Sequence, residues 1–120
     1  MKPERFFKKY EVATNTHDFA NVVPLLAHNA TYWFSDGAHN GIVEIEQAFK
    51  KTWRKIIDEQ YEISNVRWVI KTPDVAVCKY HFSWKGKING KTASGKGVGT
   101  NVMKRMRGSW KMIHEHLSSL

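Results

Sequence analysis

Apolar side chains recur at helical spacing in three segments of the first half of the chain. The first segment begins behind Pro3, and proline suits the first turn of a helix, so the pattern predicts a helix over residues 3–14. In the second, residues 19–27, Asp18 is placed to cap a short helix. The third is the most regular and predicts a helix over residues 42–56.

Alternating or β-branched segments occupy most of the remaining chain. Residues 30–35, ATYWFS, predict a first strand that ends at the turn pair Asp36-Gly37. Four more strands are predicted after the third helix, over residues 61–72, 75–86, 92–108 and 109–118. This order indicates an α+β domain in which three helices pack on one face of a curved antiparallel sheet of four to six strands.

Two of the predicted strands carry a marked difference between their faces. In residues 75–86, one face consists of apolar and aromatic side chains, which we expect to be buried: Ala76, Cys78, Tyr80, Phe82 and Trp84. In the following strand, Gly95, Gly97 and Gly99 share one side, which favours bending or a close backbone approach. No lysine with serine or threonine follows these glycines to make a phosphate loop.

The last segment, WKMIHEHLSSL, places polar residues where a strand would continue its apolar face. Regular alternation would place His114 and His116 on the same face as Trp110 and Met112, with Glu115 on the opposite face. We expect the histidines to face inward because they share that face. Ile113 and Leu117, beside Glu115, keep the opposite register open.

Composition and charge narrow the class of protein. The chain of 120 residues has an ordinary globular composition and predicts one domain over residues 1–120. Its single cysteine, Cys78, excludes an intrachain disulfide, and no apolar run is long enough for a membrane span or a secretion signal, so we expect a cytoplasmic location. The net charge is +8, but no nucleic-acid-binding motif accompanies the basic residues. Nucleic acid is therefore an unlikely partner, and a solvated basic surface is the simpler interpretation.

Together, the order of elements and four segments resemble the SnoaL-like branch of the nuclear transport factor two-like superfamily. The segments are HDFANVVPLLAHNATYWFSDG at 17–37, the helix at 42–56, GKGVGTNVMKR at 95–105 and GSWKMIHEHLS at 108–118. The resemblance implies a cone in which a strongly curved sheet wraps over the helices and encloses a ligand pocket. It also implies a homodimer formed through the outer face of the sheet.

The isomerases and cyclases of that superfamily resemble one another in using a carboxylate as a general base beside groups that stabilise an enolate oxygen. Asp36 lies where a family acid often lies, although Asp-Gly is also an ordinary turn pair. The candidate catalytic residues are therefore His114, His116 and Asp36. The residues expected to line the ligand pocket are Trp33, Tyr80, Trp84, Thr100, Trp110 and Met112.

No cofactor or metal site is predicted, because the His-x-His pair has no third ligand near it in the sequence. The leading hypothesis is a small-molecule pocket protein for a hydrophobic or polyketide-like ligand, with activity as an isomerase, cyclase or dehydratase left open. Two alternatives are a non-catalytic ligand-binding or dimerisation domain and, less favoured, nucleic-acid binding through the basic surface.

Overall fold

The computed structural model describes all residues from 1 to 120. Three helices cover one face of the sheet: α1 (Pro3–Thr14), α2 (Phe19–Val22), which continues into a 3-10 turn (Val23–Leu25), and α3 (Gly41–Lys55). The strands are β1 (Leu26–Phe34), β2 (Gly37–Asn40), β3 (Ile57–Lys71), β4 (Val75–Ile88), β5 (Lys91–Met106) and β6 (Ser109–Ser119). The predicted α+β class is confirmed.

The six strands form one open mixed sheet with the order β2-β1-β6-β5-β4-β3. Neighbouring strands are antiparallel except β1 and β6, which are parallel. The expectation of a purely antiparallel sheet is therefore wrong for this one pair. The parallel pairing arises because β1, β2 and α3 precede the long meander β3 to β6, whose last strand returns beside β1.

The predicted boundaries of α1 and α3 agree closely with the structure, whereas α2 ends at Val22 and is shorter than the predicted segment 19–27. Helix α1 spans the predicted residues 3–14, and α2 starts after Asp18, whose side chain accepts a hydrogen bond from the Ala20 backbone N–H at 3.0 Å. Short polar side chains favour this N-cap position because they satisfy otherwise unpaired backbone donors. The proline in the following 3-10 turn, Pro24, prevents α2 from continuing as a longer helix.

The core lies between the helices and the sheet face that carries Tyr32, Tyr80 and Met112, here called the inner face. Phe7 of α1 packs edge-on against Tyr80 with ring centroids 5.1 Å apart, and Phe49 of α3 lies against Tyr32 at 6.0 Å. The opposite sheet face, which carries Trp33, Lys79, Thr100 and His116, is the outer face. No helix covers it.

Glycines on β5 allow the aromatic rings of β4 to lie flat on the sheet. Gly97 pairs with Phe82, and Gly99 pairs with Tyr80. A Cβ atom at either glycine would collide with the partner's ring, and at Gly97 it would also collide with the Ser118 carbonyl. The sequence expectation of a close approach along this strand is therefore confirmed.

Candidate functional site

A β-bulge in the last strand determines which side chains reach the interior. Met112 pairs with Met103 on β5, and His114 pairs with the preceding residue, Val102, so that Ile113 is one extra residue on β6. A single extra residue reverses the alternation of every side chain that follows it. As a result, Met112 and Glu115 both face inward although three positions separate them.

The expected inward orientation of the histidines is therefore wrong. The His114 imidazole lies on the outer face, where its Nδ1 is 2.9 Å from the hydroxyl oxygen of Thr31 on β1. His116 is exposed on the same face, opposite Thr100. The physical reason is the bulge at Ile113, which turns both histidines to the outer face and places Glu115 in the interior.

Glu115 is the central acceptor of a buried hydrogen-bond cluster. Its Oε1 accepts a hydrogen bond from the Tyr10 hydroxyl at 2.9 Å and another from the Asn101 amide at 2.9 Å. The Tyr10 hydroxyl is in turn 2.6 Å from that of Tyr32, and the Tyr80 hydroxyl donates to the Asn101 carbonyl oxygen at 2.7 Å. Since Tyr10 donates to the carboxylate, its oxygen is left to accept the Tyr32 proton.

These five residues come from five different elements. Tyr10 lies on α1, Tyr32 on β1, Tyr80 on β4, Asn101 on β5 and Glu115 on β6. All are nearly inaccessible to solvent, and we call them the Glu115 cluster. Side chains held this way by packing and mutual hydrogen bonds form a preorganised polar centre inside an otherwise apolar core.

One oxygen of the Glu115 carboxyl group has no protein partner. Both hydrogen bonds go to Oε1, and none goes to Oε2. No fully buried side-chain oxygen or nitrogen in the chain lacks a hydrogen-bond partner. Oε2 therefore retains a slight contact with solvent and is not completely sealed in the core.

Burial raises the pKa of the Glu115 carboxyl group to about 7, against the opposing effect of the hydrogen bonds from Asn101 and Tyr10. Removing a carboxylate from water disfavours its charged form, while donors favour it. Burial also raises the pKa of Tyr10, Tyr32 and Tyr80 well above the ordinary value, and the charge of Glu115 adds to this increase. The phenols therefore remain protonated donors at neutral pH, whereas Glu115 can hold or release its proton.

A groove of about 1220 Å³ lies between the end of α1 and the strands β3, β4 and β5. Its aromatic lining includes Tyr61 and Trp84, and Tyr61 stacks on Phe82 with ring centroids 5.6 Å apart. Burial raises the pKa of Tyr61 well above its ordinary value, and the charge of Glu115 adds to this increase. A second carboxyl group, Glu59, lines the groove, and burial raises its pKa to about 7.

The structure distributes the predicted pocket residues between the two faces of the sheet. Tyr80 and Met112 are buried beside Asn101, Trp84 borders the groove, and Trp110 is buried with its indole N–H donating to the Met1 carbonyl oxygen at 2.8 Å.

The other two, Trp33 and Thr100, lie on the outer face, away from the Glu115 cluster. Trp33 is 50% exposed. Simple alternation explains this placement, because the neighbour of Trp33 on β1, Tyr32, is the residue that faces inward.

Asp36 lies in the turn between β1 and β2, remote from the Glu115 cluster along the chain and on the surface. Its carboxylate is 2.9 Å from His39 Nε2 and 4.0 Å from the ammonium nitrogen of Lys51. The hydrogen bond from His39 lowers the pKa of Asp36 below its ordinary value. This environment favours the turn interpretation of the Asp-Gly pair.

No three His, Cys, Asp or Glu side chains lie close enough together to hold a metal ion. Cys78 is buried on the inner face, and burial raises the pKa of its thiol to about 12. The thiol therefore remains protonated and packs as a small apolar group. None of the helices combines the length and the apolar character needed to cross a membrane.

Sequence reasoning misses three of the five members of the Glu115 cluster, namely Tyr10, Tyr32 and Asn101. Tyr80 is among the expected pocket residues, and an inward Glu115 is the register that the sequence leaves open as the alternative. A signal was present: buried phenols need hydrogen-bond partners, and an inward Glu115 supplies an acceptor for them.

Comparison with known proteins identifies the family and the fold. A family model described as the SnoaL-like domain matches residues 4–120. Among curated proteins, no sequence matches the chain significantly.

Solved structures share the architecture at low sequence identity. A nuclear transport factor 2-like superfamily protein from Salmonella enterica is 15% identical with a TM-score of 0.86, and the match covers 96% of this chain and 86% of that one. A ketosteroid isomerase-like protein from Erwinia carotovora is 18% identical with a TM-score of 0.82, covering 98% and 92%. A protein with a cystatin-like fold from Nostoc punctiforme is 16% identical with a TM-score of 0.83, covering 99% and 89%.

Proposed function

The chain belongs to the SnoaL-like domain family, and on that premise we propose that it binds a hydrophobic ligand beside Glu115 and catalyses proton transfer on it. The observation that carries the proposal is the free Oε2 of a buried carboxyl group whose pKa is raised to about 7. Such a group can accept a proton and return it at neutral pH, which is the requirement for a general acid-base catalyst.

The proposed step is enolisation next to a carbonyl group. Glu115 Oε2 removes a proton from the carbon beside the carbonyl, and the electron pair of that C–H bond moves onto the carbonyl oxygen to give an enolate. For the Tyr32 hydroxyl to stabilise this oxygen, its proton would have to turn from the Tyr10 oxygen, which accepts it in the structure, to the enolate. Return of the proton to a different carbon completes an isomerisation. In a dehydration, the proton goes instead to a β-hydroxyl group, which leaves as water. In a cyclisation, the enolate carbon attacks a second carbonyl group of the ligand, and the oxygen of that carbonyl takes the proton.

The groove supports the proposal as the route of entry. Tyr61 and Trp84 provide flat apolar surfaces with polar tips, which suit an aromatic or polyketide-like ligand. Tyr61 also lies within electrostatic range of Glu115. Glu115 itself is not part of the groove lining, so the proposal requires a passage past Tyr61 to Oε2.

Proton exchange in deuterated water tests the proposal. The wild-type protein is incubated with a panel of β,γ-unsaturated ketones and aromatic polyketide-like ketones, and deuterium at the α-carbon is followed by NMR. We expect exchange with at least one compound and a reduction by about 100-fold or more in Glu115→Gln, the range for losing a general base. Glu46→Gln, which removes a glutamate from the exposed face of α3, is the matched control and should exchange normally.

Equal exchange by the wild-type protein and Glu115→Gln would refute the catalytic role. Binding without exchange would support the second candidate, a non-catalytic ligand-binding or dimerisation domain. The observation that favours this second candidate is that the donors of the Glu115 cluster already pair with one another, as a purely structural core also requires. A homodimer through the uncovered outer face belongs to both candidates, since the family resemblance implies it.

A further inference from the structure

Glu59 lies near the start of β3, on the wall of the groove between α1 and the sheet. This part of β3 is irregular, because its register with β4 shifts between Ile57 and Gln60. A Cβ atom at Gly86 of β4 would lie 3.2 Å from the Glu59 Cα atom and 2.8 Å from the Ile57 carbonyl oxygen. Glycine at this position therefore allows the start of β3 to lie directly against β4.

The end of α1 and the turn after it hold the backbone of β3 on either side of the irregularity. The Asn15 side chain donates to the Tyr61 carbonyl oxygen at 2.8 Å and accepts from the Tyr61 N–H at 2.8 Å. The Nε2 atom of His17 lies 2.9 Å from the Glu59 carbonyl oxygen, and the same ring stacks on Trp53. These contacts occupy the backbone and leave the side chains of Glu59 and Tyr61 to the groove.

The carboxyl group of Glu59 has no partner within the chain. It is half-buried, and it takes part in no side-chain hydrogen bond and no ion pair. The buried carboxyl group of the same groove, Glu11, is fully paired, since it accepts from Lys8 at 2.9 Å and from the Ile63 N–H at 2.7 Å. Burial without a compensating donor raises the pKa of Glu59 to about 7. A ligand group that forms a hydrogen bond with this carboxyl group would therefore fill an open position.

We propose that Glu59 binds a hydroxyl group at the outer end of an aromatic ligand, an inference that rests on the proposed function. Tyr61 and Trp84, which pair directly across β3 and β4, offer the ring surfaces beside it. A hydroxyl group both donates and accepts, so it can pair with the ionised and with the protonated form of the carboxyl group.

The charges of the groove favour a neutral ligand. Its lining contains equal numbers of basic and acidic side chains: Lys8, Lys85, Lys96, Glu11, Glu59 and Glu62. This balance disfavours an ammonium or a carboxylate group as the ligand's outer end. The predicted ligand class is therefore a neutral aromatic ketone whose hydroxyl group stays at Glu59 while its carbonyl group extends past Tyr61 toward Glu115.

The site does not require the outer face of the sheet. Trp84 shares the inner face with Tyr80, because alternate residues of β4 point to the same side. Gly86 lies on that face too, and its contact with Glu59 places the start of β3 there. A homodimer through the outer face would therefore leave Glu59 open to the ligand.

Two matched ketones test the proposal on the full chain: dihydrochalcone, and its derivative with a hydroxyl group on the ring remote from the carbonyl group. Titration calorimetry gives the affinities, and NMR in deuterated water follows exchange at the α-carbon. We expect the wild-type protein to bind the hydroxylated ketone about tenfold more tightly, the range for one hydrogen bond to a partly buried carboxyl group.

Three variants assign this preference. Glu59→Ala should abolish it by weakening the hydroxylated ketone alone, and unchanged binding of dihydrochalcone verifies that the groove is intact. Glu59→Gln still donates and accepts, so it should keep most of the preference. Glu62→Ala removes an exposed glutamate from the same groove and should bind both ketones as the wild type does.

Four results would overturn the proposal. They are absence of binding by both ketones, equal affinity of the wild type for both, a preference that survives in Glu59→Ala, and a preference lost equally in Glu59→Ala and Glu59→Gln, which would indicate charge alone. Tighter binding of a derivative with an aminomethyl group in place of the hydroxyl would assign Glu59 to a cation and likewise refute the hydroxyl assignment. The exchange measurement keeps the two proposals apart: a Glu59-dependent preference without exchange supports this inference and contradicts the catalysis, and exchange without a preference does the reverse.

Discussion

The buried carboxyl group of Glu115 predicts an unusual dependence of stability on pH. Its pKa in the folded protein is about 7, against an ordinary value of 4.5. As pH rises through 4.5 the unfolded chain releases this proton, while the folded protein retains it until pH approaches 7. The free energy of unfolding therefore falls over this window as pH rises, and the loss is complete above pH 7.

The size of the loss follows from the shift in pKa. Each unit is equivalent to about 1.4 kcal/mol, so ionisation of Glu115 destabilises the fold by about 3 kcal/mol at high pH. Gln in its place resembles the protonated acid, keeps an oxygen that accepts from Tyr10 and Asn101, and does not titrate. We expect Glu115→Gln to gain about 2 to 3 kcal/mol of stability relative to the wild type between pH 5 and pH 8.

Urea unfolding followed by tryptophan fluorescence measures this difference. Both proteins are compared from pH 5 to 8.5 at one protein concentration, since association would make stability depend on concentration. The other raised carboxyl group, Glu59, is common to both proteins and cancels in the difference. Glu46→Gln should follow the wild type at every pH. A constant difference between Glu115→Gln and the wild type across this range would refute the argument.

Four further predictions follow from single contacts. Tyr10→Phe removes a hydrogen bond that lowers the pKa of Glu115, so the carboxyl pKa should rise further, which a carbon-13 NMR titration would detect; an unchanged pKa would contradict the assigned bond. Gly97→Ala forces a Cβ against Phe82 and the Ser118 carbonyl, so it should lower the free energy of unfolding in urea by about 1 to 3 kcal/mol. Thr92→Ala, at an exposed position of the same strand, is the control and should lower it by less than about 1 kcal/mol. Lys79 and Arg67 are directly paired like charges, so we expect Lys79→Gln to be at least as stable as the wild type in urea unfolding at low salt, and a clear loss of stability would argue against repulsion between them. Trp33→Ala should weaken a homodimer through the outer face by about tenfold or more in sedimentation experiments, and an unchanged dimer would place the interface elsewhere.

The helices and most of the sheet could be predicted because their signals are local. Apolar spacing determined the extents of α1 and α3, and alternation in β4 identified its buried face, with Ala76, Cys78, Tyr80 and Phe82 all pointing inward. The parallel pairing of β1 with β6 joins residues about eighty positions apart, such as Thr31 and His114. No property of either segment by itself specifies that partner.

The bulge at Ile113 decides the site, and local sequence gives no sign of it. The segment around it, Met112 to Glu115, contains no glycine or proline that would indicate a bulge. Regular alternation is therefore predicted through this segment, and it places the histidines on the inner face. The competing influence comes from distant residues: Tyr10 and Asn101, 105 and 14 positions from Glu115, present buried donors that need an acceptor. Inward histidines would have displaced the carboxylate that accepts both hydrogen bonds, and unpaired buried donors cost about 1 to 3 kcal/mol each. The extra residue in β6 resolves this conflict by keeping Met112 in the core and bringing Glu115 beneath the tyrosines.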